Sequence, residues 1–312
     1  MATENTTIKS KSLGARMKQY WLYYLLFIPG ALILFFFNYI PMSGYILAFK
    51  DYWPEYGMFF SPWEQPVLKN FIELFENAYF WVTVKNTLII FFLKFVTSFP
   101  ITIITALLFN ELRSKRFAKF VQTVMFVPYF ISWVVISGIL KKIFGVNGMV
   151  NGLLNALGVE SIAFLTSDVP FILLVIFVDL WKGVGYGMIL YLASMSAINS
   201  ELYEAVEIDG GNRLTKMLHV SLPGLKMLIS MQLVLSFSGI LNAGFDQIYN
   251  LYSIPVYDVS DIIDTYIFRI SFEEGENHAM STALSLFKSV IGFVLIVVAN
   301  KVSDKINGES IL

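Results

Sequence analysis

Two kinds of residue in this sequence stand where chemistry has to be explained: isolated charges inside long apolar runs, and a charged cluster between two such runs. Lys94, Asp179, Lys182 and Lys288 belong to the first kind. A charge at mid-bilayer costs at least about 2.5–3.5 kcal/mol, so each should face a partner helix or water. Asp179 and Lys182 are three apart and share a helix face. They form either a self-satisfying pair or one polar wall of a path, with Trp181 beside them offering an aromatic face. Lys94 and Lys288 face a second subunit or a cavity. A membrane enzyme working through carboxylates needs two of them facing each other, and only Asp179 is clearly inside. Cysteine is absent, which excludes thiolate chemistry and disulfides. With only His219 and His278, a multi-histidine metal cluster is not expected. No GxxxxGK[ST] phosphate loop, HExxH pair or nucleophile elbow occurs.

These residues must be positioned by membrane helices. The 312 residues are 56% hydrophobic, 16% aromatic and 14% charged, with net charge −1. Soluble domains carry roughly 25% charge. No charge occurs between Lys18 and Lys50, Lys119 and Lys141, or Lys226 and Asp246. About 20 apolar residues cross a hydrocarbon core of roughly 30 Å. The chain is therefore an all-α polytopic membrane protein with expected spans at about 20–40, 84–109, 119–140, 170–193, 225–244 and 279–300. The first run is too long for a signal peptide's apolar region and lacks a small-residue cleavage site, so it reads as a retained helix. Tyr20, Trp21, Tyr23 and Tyr24 fit an interfacial belt. Pro29-Gly30, Pro100 and Pro128 predict kinks, and Gly183, Gly185 and Gly187 predict bending or close packing. No basic run points to nucleic acid.

Residues 1–19 read as a disordered cytoplasmic lead, and 20–312 as one transmembrane domain. With the N-terminus inside, Lys and Arg outnumber their counterparts on the other side by thirteen to six, so both termini are expected in the cytoplasm. The external segments are acidic. The last of them, 245–278, is longer than a connector needs to be. It is either a solvated turn, a surface for an external partner, or a cap over a path.

The second kind of residue fills the polar island Ser200–Pro223, within a cytoplasmic loop 194–224. Ser200 is the expected N-cap of a short helix. Glu201, Glu204 and Glu207 fall near one face and favour its N-terminal half. Asp209-Gly210-Gly211 ends it, since glycine takes the left-handed geometry beyond a C-terminus. Pro223 marks entry to the next span. By physics alone this is either an ordinary amphipathic loop or an element that a soluble partner pushes on.

Spacing favours the second reading through a resemblance. Glu204-Ala205-Val206, three residues, Gly210, nine residues, then Val220-Ser221-Leu222-Pro223 resembles the cytoplasmic signature of permease subunits of ABC importers. Val206 and Val220 depart from that pattern by small volume changes, and Asn199 stands where a proline is expected. Trp181-Lys182 with Gly185, Leu202-Tyr203-Glu204-Ala205, Ile208-Asp209-Gly210, and Asp261 through Tyr266 with Arg269 resemble the carbohydrate branch, particularly oligosaccharide permeases. The resemblance implies the type I importer permease fold, a second homologous permease, two ATPase subunits that carry ATP and magnesium, and an extracellular sugar-binding protein. It implies ATPase docking through Leu202, Tyr203, Glu204, Ala205, Val206, Asp209, Gly210, Leu222 and Pro223. It implies no cofactor on this chain and a place in the bacterial cytoplasmic membrane. The alternative is an ion-coupled secondary transporter, which would favour intramembrane carboxylates and paired broken helices.

Overall fold

The computed structural model describes residues 13–275 and 277–307. Most of the expected N-terminal lead, Lys9 and Lys11 included, lies outside them, but Leu13–Gln19 is a helix rather than a disordered lead. Among the described residues, five helical segments are long and apolar enough to cross a membrane, and a sixth span is formed if one bent pair is counted. The spanning segments are α1 (Trp21–Leu34), α2 (Ala78–Asn110), then, after α3 (Lys115–Phe126), α4 (Trp133–Phe144) with its continuation to Ala156, α5 (Asp168–Ser196), then, after α6 (Ser200–Ile208), α7 (Lys226–Ser238), and after α8 (Phe245–Leu251) and α9 (Ile263–Phe272), α10 (His278–Asn307).

Three spans differ from expectation. The first runs on as π and 3-10 helix to Phe49, and its most apolar window buries none of its residues. Pro29 and Pro100 sit inside helices that continue through them, because a proline removes one donor while neighbouring turns hold. Pro128 instead opens a 3-10 turn, Val127–Phe130, that separates α3 from α4, so the expected span 119–140 is interrupted and the third span runs from Trp133 to Ala156. The fifth helix stops at Ser238, six residues short of the expected end. Gly239 caps it and Gly244 takes a φ of 92°, so an unwound stretch leads into α8. Its other end is extended by a helical stretch Arg213–Gly224, bent by 61° against α7 just after Pro223.

Packing follows the apolar stripes. Ile103, Leu107, Met188, Tyr191 and Leu225 fill a core at the end nearest the 200–223 loop. At the opposite end Phe171, Val175, Ile248, Leu251 and Ile262 fill a second core, and Phe80, Phe91, Ile263 and Leu284 a third. The segment 245–272 belongs to these two cores. It is a folded cap on α2, α5 and α10, not a solvated turn.

Candidate functional site

Span four sorts its polar residues by helical angle. Asp179, Gly183 and Gly187 recur every four residues and line one cleft. Lys182 points elsewhere, so the Asp179–Lys182 pair expected from their spacing does not form. Trp181, two residues from Asp179, projects about 160° away around the helix and is 45% exposed outside the cleft. Of the three path candidates the structure brings only Asp179 to the cleft wall.

The cleft holds about 520 Å³ between α2, α5 and α7, and Ser98, Thr102, Gln232, Ser236 and Asn242 supply its polar lining. Lys94 closes one end. Its Nζ lies 3.2 Å from Asp179 and donates to the Ala243 carbonyl (2.8 Å) and to Gln247 Oε1 (2.5 Å). Gln247, buried on α8, donates in turn to the Val175 carbonyl at 2.7 Å. One lysine thus ties spans two and four to the unwound end of span five. Nothing local in the sequence marks this role, because its partners lie 85 to 153 positions away.

A second cleft of about 500 Å³ lies between α7, α9 and α10. Lys288 lines it, paired with Asp264 at 2.5 Å and donating to Asn242 at 2.8 Å. Asn242 borders both clefts, so the unwound stretch is the partition between them. The Asp261–Arg269 motif secures α9 above it. Arg269 pairs with buried Asp261 at 2.7 Å and lies under the rings of Tyr79, Tyr257 and Tyr266. Tyr79 and Thr265 donate hydrogen bonds to the same carboxylate at 2.7 and 2.6 Å. Asn86 on α2 donates to the Asp261 backbone carbonyl at 3.1 Å.

At the other end, α6 carries no buried residue. Its N-cap is Asn199, not Ser200: the Asn199 side-chain oxygen accepts from the Glu201 N–H at 3.0 Å. Asparagine in place of proline therefore still fixes the helix start. The end is as expected. Gly210 takes a φ of 76°, its N–H bonds the Glu207 carbonyl (3.0 Å), and the Gly211 N–H bonds the Val206 carbonyl (2.8 Å). That is a Schellman closure. No atom lies within 4 Å of where a Gly210 Cβ would stand. Ile208 is 85% exposed and Leu202 53%, an apolar surface left open among the described residues. Tyr203 shares a hydrogen bond with buried Ser221 at 3.0 Å. Lys216 pairs with Glu207 and holds its carboxyl below the usual range through a hydrogen bond and charge. Leu222 packs beside Leu225 in the nearest core, and Pro223 precedes the bend.

These features suit a membrane path worked from one side. Among the described residues no cluster fit for a metal ion occurs. Fold and site together define a transport component of the membrane. Residues 98–308 match the family described as "Binding-protein-dependent transport system inner membrane component", and the chain belongs to it. It is a permease of ABC importers, multi-pass in a bacterial inner membrane, and not an enzyme. The Bacillus subtilis (strain 168) polygalacturonan/rhamnogalacturonan transport system permease protein YteP is 37% identical over 97% of this chain and 94% of its own length. Protein LplB of the same organism is 37% identical over 96% and 93%. A crystal structure of a bacterial ABC transporter that imports the acidic polysaccharide alginate superposes with a TM-score of 0.86 at 33% identity, covering 95% of this chain and 100% of the other. A second structure of such a transporter, in complex with its alginate pentasaccharide-bound periplasmic protein, also gives 0.86, at 32% identity over 96% and 100%.

Proposed function

We propose that this chain forms half of the translocation path of an ATP-driven oligosaccharide importer and is moved through its 194–224 loop. The observation that carries the reading is α6. It is a capped helix with exposed apolar residues, Ile208 and Leu202 among them, closed by a left-handed glycine with free space over it. Two ATPase subunits receive these helices, contacting Leu202 through Val206, Asp209 and Gly210, while Leu222-Pro223 carry the motion into the bent fifth span. ATP and magnesium belong to those subunits. A second, homologous permease closes the open side of the Asp179 cleft. An extracellular binding protein delivers the sugar at the end capped by α9. In this assignment residues 20–312 are one transmembrane domain, and residues 1–19, the loop and both termini are cytoplasmic, in keeping with the Lys and Arg excess there.

The sugar reading draws on the relatives named above, a polygalacturonan/rhamnogalacturonan transport permease and an importer of the acidic polysaccharide alginate. The cleft agrees in kind, with hydroxyl and amide groups for sugar hydroxyls and a cation already neutralised by Asp179. The test is uptake into proteoliposomes holding the whole complex, with a uronate-containing oligosaccharide and its loaded binding protein outside. Uptake that requires internal ATP and survives ionophores is the expected result. Uptake that persists without ATP and collapses with the ion gradient would overturn the reading.

A further inference from the structure

Lys182, Gly185 and Tyr186 occupy one face of α5, and all three meet the turn between α3 and α4. A 3-10 turn followed by extended backbone at Ile131 interrupts the helical ladder here, and the Pro128 carbonyl keeps a backbone donor, the Ile131 N–H at 3.2 Å. Lys182 Nζ donates to three carbonyls of the turn, at Pro128 (3.1 Å), Tyr129 (2.6 Å) and Ile131 (2.6 Å). An ammonium has three donors, and all are used. The charge also lies near the rings of Tyr129 and Trp133, at 5.5 and 5.3 Å. One turn on, a Cβ at Gly185 would stand 1.9 Å from the Met125 carbonyl oxygen, so only glycine lets α5 lie against the last turn of α3. Tyr186 stacks on Tyr129 at 3.9 Å with rings 4° from parallel.

We propose that Lys182 and Gly185 form a rigid joint that makes α5, α3 and the turn after α3 one moving body, with Lys182 a positioning residue for transport rather than a wall of the path. This rests on the proposed coupling through the 194–224 loop. The joint lies on a continuous physical route from that loop. Arg213 donates to the Glu111 carbonyl at 3.4 Å. Ser114, three residues later, caps α3. α3 leads to the joint, and α5 carries Asp179 three residues from Lys182 into the cleft wall. A displacement of the loop thereby turns the cleft wall without loss at the break.

The test uses the whole complex in nanodiscs. Because the chain has no cysteine, spin labels at Phe120→Cys and Leu190→Cys, both on exposed positions, report α3 against α5. The joint predicts one narrow distance that is the same with and without ATP. Lys182→Met should broaden it and lower sugar imported per ATP hydrolysed by about tenfold, the scale of one charge-assisted hydrogen bond. Lys182→Arg should restore both. A merely structural lysine would lower assembly, hydrolysis and uptake together and leave the ratio unchanged. A distance that shifts with nucleotide in the otherwise native chain, or a Lys182→Met distance as narrow as the native one, overturns the joint. Absence of ATP-dependent uptake in the native complex would overturn the importer reading instead, and the distance in Lys182→Met would still decide the joint.

Discussion

Replacing Lys94 by methionine tests whether one buried cation holds the unwound end of span five. Methionine keeps most of the stem and removes the charge. The loss leaves the Ala243 carbonyl and Gln247 Oε1 without their donor, and Asp179 without a counter-charge. An orphaned buried acceptor costs about 1–3 kcal/mol, and removing one member of a buried ion pair about 3–5 kcal/mol. The side chain of Asp179 is 30% exposed at the cleft, so water relieves part of that cost and the lower end applies, about 3 kcal/mol. Asp179→Asn keeps an acceptor for Lys94 and should cost less. The double variant should be better than the sum of the singles by roughly 1–3 kcal/mol, since neither charge is then left alone. Thermal unfolding of the purified complex gives the readout, with a fall of roughly 4–5 °C expected for Lys94→Met. Strict additivity in the cycle, or an unchanged midpoint for Lys94→Met, would refute the account of the clamp.

Gly210→Trp should leave insertion and expression unchanged, because the space over its Cβ is empty and the added cost is the left-handed geometry, roughly 1–2 kcal/mol in an exposed loop; uptake should nevertheless be lost, measured in the same vesicles. Arg269→Met removes the counter-charge of fully buried Asp261 and should cost about 3–5 kcal/mol, visible as fast hydrogen exchange across 257–272 while the 200–223 loop is unaffected; equal exchange in both variants of that segment would contradict the latch.

How much of this was legible varies with the range of the interactions. The 200–223 loop was readable because its signals are local: a capping side chain, a glycine beyond the helix end, a proline before the bend. Even there the cap is Asn199 and not Ser200, a one-residue choice that the two polar side chains leave open. The spacing of Lys182 to Asp179 allows a pair or a path wall, whereas its partners are carbonyls 51 to 54 positions earlier. A signal is present, since Pro128 announces a break and a break in a helix requires donors for the freed carbonyls. The many acids of the 245–272 segment leave a solvated turn, a partner surface and a cap all open, yet Asp261 is fully buried and held by Arg269, Tyr79 and Thr265. Charge counts cannot separate an acid in water from one paired in a core. The end of span five was overestimated because hydropathy stays high through Gly239–Gly244, where the backbone itself is unwound.

The central claim is that this chain is moved by ATPase subunits through α6. Its most direct test places a short photoreactive cross-linker on Ile208→Cys, the single cysteine in the chain, in the complex purified through a tag on this chain. The account predicts a covalent link to a nucleotide-hydrolysing subunit, lost when the segment Glu204–Gly210 is replaced by a flexible stretch of equal length, together with loss of ATP-dependent uptake. A chain that purifies alone, forms no such link and still transports without ATP would contradict it.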